Sequence, residues 1–64
     1  MFWLVKVYID DGTYYTCVAR AVSEAQAEFL ARKYYRNEGE VVESTEAEMF
    51  NSFEHGDTRS YELV

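Results

Sequence analysis

The chain has no proline, one cysteine, one histidine and only three glycines in 64 residues. Each scarcity excludes something. With no proline, turns fall to the glycines, and all three read as turn or helix-end positions, so no glycine-rich phosphate loop exists. A lone Cys17 rules out an internal disulfide and a cysteine zinc cage. It also suits a reducing compartment, so a cytoplasmic location is expected. No long hydrophobic run is present. The apolar stretch Phe2–Ile9 is interrupted by Lys6, lacks a basic lead-in and is too short for a signal peptide or a membrane span. Basic residues are absent from Asn37 to Thr58, and the rest are scattered, which disfavours direct nucleic-acid binding.

What remains is rich. Apolar residues make up 48% of the chain and aromatics 17%, a composition that disfavours disorder. The length allows one domain, 1–64, near the lower limit for independent folding. Backbone ordering costs about 1–2 kcal/mol per residue, so the margin is thin and a dimer or stable complex is expected to help. The chain starts at Met1 and reads as a complete small open reading frame.

The best-marked segment is Ala21–Gly39. Ser23-x-x-Gln26 reads as a capping box, with Val22 and Ala27 as a hydrophobic staple. Glu24 and Glu28 near the start, and Arg32, Lys33 and Arg36 near the end, suit the helix dipole; that role accounts for the basic patch. Gly39 supplies the left-handed stop. Ala27, Leu30, Ala31 and Tyr34 form an apolar stripe, and the alanines permit close approach to a sheet. Phe29 points nearly opposite, at about 100° per residue. It is either covered by another segment, the reading preferred here, or offered to a partner.

Phe2–Ile9 and Tyr14–Ala21 read as a hairpin around Asp10-Asp11-Gly12. A two-residue and a three-residue loop compete. The second pairs Ile9 with Thr13 and puts Trp3, Val5, Val7, Tyr15, Cys17, Ala19 and Ala21 on one face. This cleaner segregation favours it. The other face then holds Phe2, Leu4, Lys6, Tyr8, Tyr14, Thr16, Val18 and Arg20, too apolar for water alone. Either the C-terminal segment or another chain covers it.

Beyond Gly39, a short strand is expected over Glu40–Ser44. Thr45-x-x-Glu48 reads as a weaker capping box for a short helix carrying Ala47, Met49, Phe50 and Phe53. The alternative is a strand over 48–54 that pairs through a His55-Gly56-Asp57 turn. Arg59–Val64 alternates as a last strand. The expected fold is α+β: a small, mostly antiparallel sheet with one main helix on one face, in the order β-β-α-β-(short α)-β.

The hairpin-then-helix opening, with Ala21 two positions before the Ser23 cap, resembles β-grasp domains such as the immunoglobulin-binding repeat of protein G. The longer acidic insertion after Thr45 departs from that pattern at its final hairpin. Ala19-Arg20-Ala21-Val22-Ser23-Glu24-Ala25, followed by Gly39-Glu40-Val41-Val42, resembles the small DpnD/PcfM-type proteins of phages and plasmids. The likeness covers about residues 15–45 and carries no functional residue across.

No constellation favours an enzyme, a cofactor or a metal centre. His55 lies in a polar turn with Glu54 and Asp57 but lacks a nucleophile at a usable spacing. Cys17 sits mid-strand on the core face, as a structural thiol would. The acidic half is more suggestive. Residues 37–58 carry seven acids and no base, while 1–36 carry a net +1 and 59–64 balance, giving −6 overall. Its bland reading is a solvated surface. Its sharper reading is a non-enzymatic protein-binding module whose carboxylates imitate a nucleic-acid backbone and compete for a basic groove on a nucleic-acid-binding protein. Glu43, Glu46, Glu48 and Glu54, with Phe50 and Phe53 as apolar anchors, would form that surface. A phage or mobile-element accessory or inhibitor would fit. The alternative is a homodimeric assembly protein joined through Phe2, Leu4, Tyr8, Tyr14 and Val18.

Overall fold

The computed structural model describes all residues, 1–64. The elements are β1 (Phe2–Ile9), β2 (Tyr14–Arg20), α1 (Glu24–Asn37), β3 (Val42–Met49), α2 (Ser52–His55), a 3₁₀ turn (Thr58–Ser60) and β4 (Glu62–Leu63). They form an α+β fold with one four-stranded sheet in the order β3-β1-β2-β4. β1 is antiparallel to β2 and to β3, while β4 is parallel to β2.

The hairpin adopts the three-residue loop. Tyr8 pairs with Tyr14, Ile9 N–H donates to the Thr13 carbonyl at 2.9 Å, and Gly12 N–H donates to the Ile9 carbonyl at 3.1 Å. Gly12 has φ +91°, the left-handed position of a type I turn with a G1 bulge. Asp11 Oδ1 accepts from the Thr13 backbone and hydroxyl, which holds the Asp11 carboxyl below its ordinary range.

α1 begins as its cap residues dictate. Ser23 Oγ accepts from Gln26 N–H, and Gln26 Oε1 accepts from Val22 N–H. No staple forms, because Val22 is 86% exposed. At the far end Glu40 N–H donates to the Tyr35 carbonyl and Gly39 N–H to the Arg36 carbonyl. With Gly39 at φ +90°, this is a Schellman motif. The buried helix residues are Ala27, Ala31 and Tyr35. Leu30 and Tyr34 lie at the margin of the core, so the stripe is rotated by one residue at its end. Phe29 is not covered; it is 61% exposed on the far side of the helix, beside Arg32, Lys33 and Arg36.

The main core lies between α1 and one sheet face: Val5, Val7, Ile9, Cys17, Ala19 and Ala21 against Ala27, Ala31 and Tyr35. Trp3 closes one end, its indole N–H donating to the Ala21 carbonyl at 3.1 Å.

The second half departs from expectation. Residues 42–49 form a strand rather than a strand followed by a helix. Thr45 caps nothing; its hydroxyl donates to Glu28 on α1. The alternation is hidden by a bulge. Tyr8 pairs with Ser44 and Ile9 with Val42, leaving Glu43 as an extra residue. That insertion lets Val42 and Ala47 both reach the core, although five positions apart. The short helix comes later, at Ser52–His55, capped by Asn51. The last strand is only two residues long, and β3 and β4 lie on opposite edges, so no final hairpin forms.

Two crossovers follow from this order. α1 carries the chain from β2 across β1 to β3, and residues 50–61 carry it back across β1 and β2 to β4. Both join parallel strands, and such connections keep a right hand. Running in opposite directions with the same hand, they must take opposite faces. Burial agrees: Leu4 (8%) and Val18 (0%) point away from α1, yet are covered. The expectation that the outer face awaits a covering segment is thus met from within the chain. Leu4 and Val18 are consequently unavailable as a dimer face; Phe2 (41%) and Tyr14 (56%) remain exposed.

Candidate functional site

The returning segment is fastened at several points. His55 Nδ1 accepts from Asn51 N–H at 2.9 Å, and His55 Nε2 lies 3.0 Å from Glu48 Oε1 on the outer face. Glu48 pairs with Leu4 across the sheet, so this contact draws α2 over the outer face. Tyr61 Oη donates to the His55 carbonyl at 2.6 Å. Phe50 sits edge-on to Tyr61 and beside the His55 ring, with centroids at 5.9 and 5.4 Å. Asp57 and Arg59 form a two-pronged pair, which lowers the Asp57 carboxyl from its usual range.

This arrangement sorts the residues singled out in the sequence. Phe50 is half-buried in the chain's own aromatic cluster, against Tyr61 and His55. Phe53 is 99% exposed, on a helical turn whose backbone is held by the Asn51 cap. Glu54 lies beside it, with a carboxylate oxygen 3.9 Å from His55. Glu48 is engaged by His55, and Glu46 accepts from the Tyr8 hydroxyl at 2.7 Å. Glu43 stands at the bulge, exposed. The structure therefore brings Glu48 and Glu54 together at His55, with Glu46 on the same face of β3, Phe53 on the turn that carries Glu54, and Glu43 farther along the β3 edge.

The outer face near the hairpin keeps Lys6 and the two tyrosines. Lys6 Nζ lies 5.3 Å from the centre of the Tyr14 ring, and the Tyr8 and Tyr14 rings are 5.9 Å apart. A shallow hollow of about 200 Å³ lies between Leu4, Lys6, Glu46, Ala47 and Glu48. The carboxylate beside it raises the Tyr8 hydroxyl pKa.

Cys17 lies in the core, and burial pushes its thiol up to about 11. A thiol so placed is a packing group rather than a nucleophile. His55 has one ring nitrogen on a backbone N–H and the other on carboxylates, while Asp57 turns to Arg59. Those contacts give His55 a structural task.

A second aromatic cluster, not evident from the sequence, lies between α1 and β2. Tyr15 stacks on Tyr35 at 4.7 Å and 10°, and Tyr34 meets Tyr35 edge-on at 5.0 Å. Glu40 accepts from Tyr15 and Glu62 from Tyr34. The signal was present in the adjacent tyrosines 34 and 35 on a helix facing Tyr15. It became visible only once the helix rotation was known.

No protein-family model matches the chain, and no curated protein or solved structure matches it either. No helix is long and apolar enough to cross a membrane.

Proposed function

We propose that the protein is a non-enzymatic docking module that meets a basic surface of another protein through Phe53 and the carboxylates around it. The observation that carries this reading is Phe53: a wholly exposed phenylalanine on a turn fixed by hydrogen bonds. Exposed aromatics on rigid backbone bind at small entropic cost, and interfaces draw much of their energy from such anchors. Glu46, Glu48 and Glu54 nearby supply the charge that steers a basic partner. Carboxylates held on a sheet and a turn would compete with a nucleic-acid backbone for that partner. An inhibitor or accessory of a phage or mobile element, working in the cytoplasm, is the narrower form of this reading. A buried free thiol suits the compartment.

Capture from a host lysate with wild-type bait, compared with Phe53→Ala and Glu46→Lys/Glu54→Lys baits, tests it. The reading expects proteins that elute with salt or added nucleic acid and that both variants fail to retain. Retention by all baits at every salt concentration would reject it.

A further inference from the structure

We propose that the groove at the carboxyl end of α1 binds an organic cation: a guanidinium or alkylammonium group, such as an arginine or lysine side chain presents. The groove, about 430 Å³, is lined by Tyr15, Tyr34, Tyr35, Glu38, Glu40 and Glu62. The rings of Tyr15 and Tyr34 border it, backed by the buried Tyr35, together with three carboxylate residues, and no basic residue lines it. Aromatic faces attract cations through their quadrupole, and planar guanidinium groups stack on them well. Two of the three carboxylates are held in place. Glu40 is held by the Tyr15 hydroxyl and Glu62 by the Tyr34 hydroxyl, each through one oxygen, leaving the other for a ligand. Those bonds keep the phenols protonated, with Tyr34 raised to about 12, so the negative charge stays on the carboxylates. The carbonyl end of α1 adds a further negative pole.

The lining also selects the class of cation. Calcium and magnesium require a shell of oxygens, and half of the residues that line this groove are tyrosines. A guanidinium or alkylated ammonium matches both halves. The groove lies on the β2–β4 side of the sheet, whereas Glu43, Glu46 and Glu48 lie on the β3 edge. This inference therefore stands apart from the docking role of Phe53.

The test is a ring-proton and amide NMR titration of the intact chain. The probes are N-acetyl-arginine methylamide, its lysine counterpart, tetramethylammonium, and the neutral N-acetyl-citrulline methylamide. Titration runs to roughly 50 mM, where a dissociation constant of ~1 mM saturates the site. Saturable shifts at Tyr15, Tyr34 and Glu62 with cations but not citrulline are expected. Affinity should fall at least roughly tenfold in Glu40→Gln/Glu62→Gln, since a charge-assisted contact to each carboxylate is lost. Preference for the amino-acid amides over tetramethylammonium would indicate a protein side chain as ligand; equal binding would extend the site to free quaternary ammonium ions. No saturable shift, an equal response to citrulline, or unchanged affinity in a folded double variant would overturn the inference. Tyr15→Leu provides a second variant that removes one aromatic wall and leaves all carboxylates; it too should weaken binding.

Discussion

His55 and Glu48 meet at 3.0 Å across seven residues of chain, and this contact ties the C-terminal segment to the outer face of the sheet. Beneath it lie Leu4 and Val18, buried without help from α1. The outer layer is thin, and its fastening is polar.

Replacing His55 with alanine should therefore loosen the segment selectively. It removes the Glu48 contact and the acceptor for Asn51 N–H. A loss of about 1–2 kcal/mol is expected. Amide exchange should quicken over residues 51–61 while β1 and β2 keep their protection. Val18→Asp should instead unfold the chain, because it buries a charge. A Val18→Asp protein that is folded and merely shifts a dimer to monomer would show that another molecule, not the tail, covers this face.

Much of this layout was legible beforehand. Ser23, Gln26 and Gly39 announce both ends of α1, and the competing hairpin registers were separable because only one segregates the faces. The second half was harder. Glu43 bulges out of β3, so period-2 alternation fails across it, and Thr45-x-x-Glu48 imitates a cap. Pairing with β1 outweighs that local signal, as tertiary context often does with weak propensities. The exposure of Phe53 was not legible, since it depends on where residues 50–61 cross the sheet.

Gly12 fixes the register through its left-handed backbone. At φ +91° an alanine is strained, though nothing lies within 4 Å of where its Cβ would be. Gly12→Ala should cost about 1 kcal/mol, read from the denaturant midpoint at unchanged slope. A neutral or stabilising outcome would contradict the G1-bulge geometry.

Alkaline pH should destabilise the protein through its buried thiol and the tyrosines around it. Burial raises the Cys17 thiol from 9.0 to about 11, and Tyr15, Tyr34 and Tyr35 are also raised above 10.0. For such acids the unfolded chain releases protons first, so stability is full below about pH 9 and falls as pH climbs through 11. Cys17 alone contributes a loss on the order of 2–3 kcal/mol. Urea midpoints measured from pH 7 to 11 should fall, with the portion between 9 and 10 reduced in Cys17→Ala. A flat profile would mean that the thiol is solvated.

The proposed docking role is tested most directly by placing a photo-crosslinking benzoylphenylalanine at position 53 and, as a control, at position 29. Phe29 is also exposed, but it stands among basic residues on the helix. Irradiation in host extract should give discrete protein adducts from position 53, suppressed by salt and by added nucleic acid, and none of these from position 29. No adduct from position 53, or the same adducts from both positions, would contradict the account.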